Sequence, residues 1–299
     1  MSTDTGAVGA GYRWCRRLAR THYENFPVAS LLLPTCMRNP VVAIYAFART
    51  ADDIADEGAL SDTGRLRQLA DMDEALHAIG CGRIPDTPLY QALADSVSRH
   101  RLPLQPFHDL LSAFRQDVNT QRYATFDELL DYCRHSANPV GRLLLHLAGA
   151  ASPENLALSD SICSALQMIN FLQDIEQDWH EKGRIYMPLE DMARFGVTEA
   201  DIAGRRNSPA LRALVQCQAG CADRLLRSGS ALGDRLRGRF GVEIRMTILA
   251  AFSLLDKLYH QEDVFSRPRL ARTEKAAIFW HALRRVSFDR RSPLESACL

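Results

Sequence analysis

The sequence lacks a net charge: 36 Lys and Arg balance 36 Asp and Glu. Without a basic excess there is no electrostatic footprint of a nucleic-acid binder. No apolar run reaches the ~18 residues of a membrane span. The first residues, MSTDTGAVGAGYRWCRR, show no basic start leading into an apolar stretch, so no signal peptide is expected and the expected location is cytoplasmic. Low-complexity linkers, charge blocks and internal repeats are missing too, as is any GxGxxG fingerprint. The eight cysteines do not pair by spacing. Only Cys217 and Cys221 are close, and they read CxxxC. A zinc site would want two close Cys/His pairs. The expectation is buried free thiols in a reducing compartment.

What remains is an ordinary globular composition, 46% hydrophobic and 24% charged over 299 residues, enough for a sizeable core. Apolar residues recur at helical spacing almost throughout. The pattern predicts helices over 10–22, 38–58, 62–79, 88–100, 104–119, 126–149, 154–181, 208–237, 242–262 and 272–286. Pro34, Pro40, Pro85, Pro103, Pro153, Pro188 and Pro268 punctuate them. Ser61-Asp62 and Ser152-Pro153-Glu154 read as helix starts. The expectation is one all-α domain over 1–299, with 1–9 and 287–299 as flexible tails. Segments 41–51 and 162–172 are apolar around most of their circumference, which places them centrally.

Each of those two segments runs into carboxylates. After VVAIYAFA comes RTADDIADE, with Asp52, Asp53, Asp56 and Glu57 inside six residues. On a helix Asp52 and Asp56 share a face, with Arg49 and Tyr45 along the same stripe. Asp53 and Glu57 fall on a neighbouring face and read as supporting or solvated groups. The second stretch is NFLQDIEQDWHEKGRIYMP, residues 170–188. There Asn170, Asp174 and Asp178 recur every four residues, Gln167 joins the stripe, Glu176 points nearly opposite, and Arg184 follows a helix end at Gly183. Paired carboxylates at this spacing repel unless something neutralises them. A single DDxxDE is usually a solvated face. Two DxxxD motifs, each ending an apolar helix, point instead to Mg²⁺ and a diphosphate, because Mg²⁺ takes oxygen ligands and shares itself with phosphates. Arg49, Arg184 and Lys182 would add positive charge.

These residues resemble the squalene/phytoene synthase family over nearly the whole chain, from about Tyr12 to Tyr259. YAFARTADDIADE is similar to the family's first aspartate-rich motif, LQMINFLQDIEQDWHEKGRIYMP to its second, and DYCRHSANPVG to its Tyr-centred third segment. The resemblance implies an all-α isoprenoid-synthase fold with a deep central cavity. By motif, Asp52, Asp56, Asn170, Asp174 and Asp178 would hold several Mg²⁺ ions. Arg49, Gln167, Asn170 and Arg184 would contact diphosphate or its metals. Tyr45, Tyr132 and Tyr259 would line the reacting centre, and His22 and Phe26 the cavity mouth.

Many members carry Ser-x-Ser-Phe after the first helix. Here the stretch reads HYENFPVAS, and ENFPVASLLLP resembles the hopanoid-pathway hydroxysqualene synthase branch. Asn25 stands where ordinary condensing enzymes have Ser. That branch ionises presqualene diphosphate, rearranges the cation and adds water, so no nicotinamide is expected. Two alternatives stay open: a synthase condensing two prenyl diphosphates to presqualene diphosphate, dehydrosqualene or phytoene, and a non-catalytic homologue acting as a binding or assembly subunit. Ionisation needs charge neutralisation of the leaving group, and the cation needs a dry, aromatic pocket. Phe26, Tyr45, Phe47 and Phe171 are candidates, with core packing the plainer reading for Phe47 and Phe171. Pro139 inside the predicted 126–149 helix would free the His135 carbonyl, and with Tyr132 this kink is a candidate water-placing site. A C30 lipid substrate suggests exchange at a membrane surface, peripherally at its inner face, or with pathway enzymes. Arg122 reads as a loop contact or nothing, and the basic run at 16–20 as a solvated face, with a membrane-edge face as its second reading.

Overall fold

The computed structural model describes residues 4–21 and 32–284. The predicted tail 287–299, and His22, Asn25 and Phe26, lie outside those residues. Among the described residues there are helices and no strand. In chain order the helices are α1 (Asp4–Thr21), α2 (Thr35–Asp56), α3 (Asp62–Gly80), α4 (Pro88–His100), α5 (Gln105–Asn119), α6 (Phe126–Ser136), α7 (Asn138–Leu147) and α8 (Pro153–Gln173). They continue with α9 (Ile175–Lys182), α10 (Leu189–Phe195), α11 (Glu199–Ala203), α12 (Pro209–Gly229), α13 (Leu232–Arg235), α14 (Gly238–His260) and α15 (Arg272–Arg284).

Two compact units are distinguished. The first holds residues 1–119 and 139–156, the second 120–138 and 157–299. In the first unit α2 is the central helix, contacted by α1, α3, α4 and α5. Its apolar residues Val41, Ala43, Ile44, Ala46, Phe47 and Ala51 are buried, as the all-round apolar pattern requires. Phe47 packs edge-on against Phe107 of α5, centroids 5.3 Å apart at 88°, so Phe47 is a core residue. Tyr12 of α1 sends its hydroxyl to Asp95 (2.8 Å) and Ser96 (2.9 Å) of α4. Asp73 of α3 takes His108 at 2.6 Å and Arg115 at 3.2 Å from α5.

In the second unit α14 packs against α12, α13 and α15, and α9 against α11. Arg245 ties two of these contacts with hydrogen bonds to backbone carbonyls, from Nε to Ala282 at 2.8 Å and from Nη1 to Gly233 at 2.7 Å.

Several boundaries differ from the sequence expectation. Helix α1 starts at Asp4, not residue 10, although Gly6, Gly9 and Gly11 weaken its propensity. Gly11 permits close packing, since a Cβ there would stand 2.5 Å from the Pro88 carbonyl oxygen. Helix α2 starts at Thr35, three residues before the expected 38, and carries Pro40 inside it. The carbonyl that Pro40 cannot serve belongs to Cys36, an exposed residue of the first turn. The predicted 126–149 helix is two helices, not one with a kink. Ala137 closes α6 through its N–H to the Cys133 carbonyl (3.1 Å). Pro139 then lies in the first turn of α7, where a missing N–H costs nothing. The predicted 208–237 helix ends at Gly229 and continues only as short α13. Helices α10 and α11 were not foreseen. Of the seven described cysteines, all free, Cys36 and Cys81 are exposed, so the thiols are not uniformly buried.

Candidate functional site

Helix α2 ends in four carboxylates, and that is the wrong end for stability. The helix dipole puts partial negative charge at the C-terminus, so acids there are unfavourable. Two arginines compensate. Arg49 Nη1 lies 3.1 Å from Asp52, and its Nη2 lies 2.6 Å from both Asp53 and Glu57. Arg65 of α3 donates to the last carbonyls, at Ile54 (2.8 Å), Glu57 (3.0 Å) and Gly58 (2.9 Å). Burial works against the Arg49 charge, but Asp52, Asp53 and Glu57 outweigh it and raise its pKa above the ordinary value. Asp53 and Glu57 therefore grip Arg49 directly rather than being merely solvated. Tyr45, Arg49, Asp52 and Asp56 are all half-buried, while Ile44, Phe47, Ala51 and Ala55 are buried. The expected stripe thus emerges from the core on one face.

The second acidic set is not on one continuous helix. The chain leaves helical geometry at Asp174 (φ −111°, ψ 16°), which caps α9. The hydrogen-bond ladder still runs through the break, from the Asp174 N–H to the Asn170 carbonyl (3.0 Å) and from the Asp178 N–H to the Asp174 carbonyl (2.8 Å). The four-residue stagger survives, and Asp174 and Asp178 now sit at a helix start, where the dipole favours them. Glu176 points elsewhere, to Arg205 of the residues after α11. Helix α9 ends, as expected, at Gly183, whose left-handed φ of 61° costs glycine little. Arg184 follows it and is buried.

Asp174 is held from a distance in sequence. Arg267 places Nε 2.7 Å from Asp174 Oδ1 and donates from Nη2 to Oδ2 at 3.1 Å. Beside it, Gln173 donates to the Pro268 carbonyl at 2.7 Å. Burial pushes the Asp174 carboxyl pKa up, against the opposing pull of Arg267, Arg269 and Lys182. Its Oδ1 is buried and receives no well-directed hydrogen bond, despite the close guanidinium. A carboxylate followed and preceded at four-residue spacing by the oxygens of Asp178 and Asn170 is a donor set that a hard divalent cation takes, in competition with the Arg267 guanidinium. Asp52 and Asp56 offer the same chemistry at the end of α2.

An aromatic cluster lies in the same unit. Phe171 stacks on Tyr186 at 3.8 Å and 7°. Tyr132 lies 6.1 Å from Phe171 and 5.9 Å from Tyr186, and Tyr123 lies 5.4 Å from Tyr132. Phe171 directly follows Asn170 in the sequence, and Tyr186 is two residues past Arg184. The strands of chain that carry Tyr123 and Tyr186 are paired by backbone, Ile185 N–H to the Gln121 carbonyl (3.1 Å) and Leu189 N–H to the Tyr123 carbonyl (2.9 Å). Arg122 has a definite place there. It forks onto Glu199 at 2.8 Å through two nitrogens and lies over the Trp179 ring. Asn138 is buried and accepts from Ser164 Oγ at 3.0 Å. Tyr259 lines a separate hollow with Arg212, Gln216, His260, Gln261 and Glu262, none of them from the acidic stripe. Gln167 is half-buried on α8. Arg65, Tyr123, Tyr186 and Arg267 were missed from the sequence. Only Tyr186 carried a signal, inside the quoted RIYMP string.

The squalene/phytoene synthase family matches residues 19–275. A hydroxysqualene synthase from Zymomonas mobilis is 37% identical over 248 residues, 82% of each chain. Another from Rhodopseudomonas palustris is 38% identical over 219 residues, 73% of this chain and 71% of that one. The solved structure of the squalene synthase HpnC from Alicyclobacillus acidocaldarius superposes with a TM-score of 0.79 at 35% identity, covering 86% of this chain and 98% of that one. A match across this span, with both aspartate-rich stretches inside it, makes the chain a member of the squalene/phytoene synthase family with its all-α isoprenoid-synthase fold.

Proposed function

We propose that the protein is a hydroxysqualene synthase: it ionises presqualene diphosphate, lets the cation rearrange and captures water, giving hydroxysqualene and diphosphate. The observation that carries this reading is the 37% identity with a hydroxysqualene synthase over 82% of each chain. Two acidic sets, and an aromatic cluster in the unit that carries the second of them, support it.

The C–O bond to diphosphate breaks first, with the electron pair leaving on oxygen. Mg²⁺, when bound, supplies the positive charge that makes diphosphate a leaving group. Asp52 and Asp56 would hold it in the first unit, and Asn170, Asp174 and Asp178 in the second. By the family resemblance, Arg49 of the first unit, and Arg184 and Gln167 of the second, would contact diphosphate or its metal ions. Arg49 must exchange carboxylates for phosphate oxygens to do so, since it is engaged by Asp52, Asp53 and Glu57 before substrate arrives.

The cation then needs ring faces and few water molecules. Phe171, Tyr186, Tyr132 and Tyr123 form the aromatic surface for this, each ring contributing ~0.5–2 kcal/mol. By the family resemblance, Tyr45 of the first unit is a further candidate ring. Tyr132, ahead of the α6–α7 break, is the candidate for orienting the water whose oxygen forms the new C–O bond. Water releases its extra proton to solvent or diphosphate, and no nicotinamide is needed. Substrate and product are C30 lipids, and no described helix is long and apolar enough to cross a membrane. Lipids of this size partition into a bilayer, and exchange of substrate and product peripherally, at the inner face of a membrane, is part of this proposal.

Incubation of the purified protein with Mg²⁺ and farnesyl diphosphate tests the reading against its condensing alternative. The expected outcome is no C30 product. Presqualene diphosphate, or a C30 hydrocarbon, would move the protein to the condensing branch.

A further inference from the structure

Helix α15 is apolar on two opposite sides. Its inner side places Ile278 and Ala282 against Leu249, with Val242, Met246, Ala250 and Leu270 around them. A surface helix normally turns polar residues to the other side. Here the other side carries Ala276, Trp280 and Leu283, separated by four and three residues and so on one face. Trp280 is 59% exposed and Leu283 43% exposed. Trp280 is the most exposed of the five large apolar side chains that reach solvent among the described residues.

The same face has a basic residue at each end, exposed Arg272 and exposed Arg284, ~18 Å apart along the axis at 1.5 Å per residue. Exposed Lys275 adds a third charge. The nearest acid, Glu274, is neutralised by Lys257 at 3.0 Å and accepts the Ala271 N–H at 2.6 Å. The sequence holds no acid from Lys275 to Phe288, and it continues past the helix with Arg285, Arg290 and Arg291. An aromatic and aliphatic strip bracketed by cations matches a bilayer interface, where Trp settles among headgroups and Arg meets lipid phosphates. An acidic protein with an apolar pocket would leave the native chain unbound to anionic vesicles, so vesicle binding separates it from a bilayer.

We propose that the Arg272–Arg284 face of α15 is the surface by which the protein docks on an anionic lipid bilayer. Docking deepens the peripheral location proposed above and rests on that reading only in its motive, a C30 substrate that resides in the membrane. Its chemistry is two-part. The arginines bring the helix to the surface, and Trp280 and Leu283 insert between headgroups.

Vesicle sedimentation of the full chain tests it without any turnover. Vesicles of phosphatidylcholine alone are compared with vesicles containing 30% phosphatidylglycerol. Binding is expected to the second and little to the first, and to weaken in 1 M salt, where the screening length is ~3 Å. Arg272→Gln with Arg284→Gln is expected to lower partitioning about 25-fold, about fivefold per charge. Trp280→Ser with Leu283→Ser is expected to abolish it. Brominated acyl chains should quench tryptophan fluorescence in the native chain and not in Trp280→Phe. Equal binding by the Trp280→Ser/Leu283→Ser variant would overturn the proposal. So would failure of the native chain to bind phosphatidylglycerol vesicles. A dimer in solution that the same double variant dissociates would overturn it too, by assigning the strip to a second copy of the chain. If the vesicles bind as stated and presqualene diphosphate is not converted, the docking surface stands and the enzymatic reading falls.

Discussion

Replacing Arg267 by Gln removes the cation that faces Asp174. The pair has two contacts, 2.7 and 3.1 Å. Truncating one partner of a fully buried pair costs about 3–5 kcal/mol, but here Arg267 is 39% and Asp174 20% exposed. Solvent screening brings the expected loss down to about 1 kcal/mol, or about 2 °C in Tm for a chain of this size. The diagnostic part is its metal dependence. If Asp174 belongs to a Mg²⁺ site, a bound divalent ion replaces the missing charge, and the deficit shrinks when Mg²⁺ and inorganic diphosphate are added. Thermal melts of both proteins, with and without those additions, measure this. An equal deficit in all conditions, or no deficit in the metal-free protein, would refute the reasoning. The Gln173 bond to Pro268 remains in both proteins, so the loop keeps its second anchor and the comparison isolates the charge.

Three further outcomes follow from the geometry. Phe171→Leu breaks the 3.8 Å stack on Tyr186 and should lower alcohol formation about tenfold, with more early-quenched products by mass spectrometry, in line with ~0.5–2 kcal/mol per ring. Gly11→Ala pushes a methyl to within 2.5 Å of the Pro88 carbonyl oxygen and should destabilise the first unit by ~1–3 kcal/mol in urea unfolding. Burial opposes ionisation of Asp73, but His108 and Arg115 outweigh it and hold its carboxyl below the ordinary 3.8. Its stabilisation is therefore present above pH 3.8 and lost as pH falls through the lowered value. Asp73→Asn should be less stable than the native chain at neutral pH, and the two should converge at strongly acid pH.

The legible parts of this protein are those set by local pattern. The stripe of Tyr45, Arg49, Asp52 and Asp56 follows from helical period alone, and the structure shows it as a half-buried line beside a buried one. The end of α9 at Gly183 was equally readable from one glycine. The break at Asp174 was not, because no proline or glycine marks it. The Asp174 side chain is instead held by Arg267, 93 residues later. Tyr123 and Tyr186 escaped for a similar reason. Their segments are joined by backbone pairing across some 60 residues, and no periodicity announces such a pairing. Helices α10 and α11, seven and five residues long, are shorter than the window in which a 3.6-residue period can be counted. The resemblance to a family carried the rest, since it rested on both acidic strings at once rather than on either alone.

The central claim is ionisation followed by capture of water. The direct measurement is incubation of the protein with Mg²⁺ and presqualene diphosphate in ¹⁸O-water, without nicotinamide, and mass spectrometry of the C30 products. The account predicts an alcohol carrying one ¹⁸O. A hydrocarbon, an unlabelled alcohol or unconverted substrate from folded protein would contradict it.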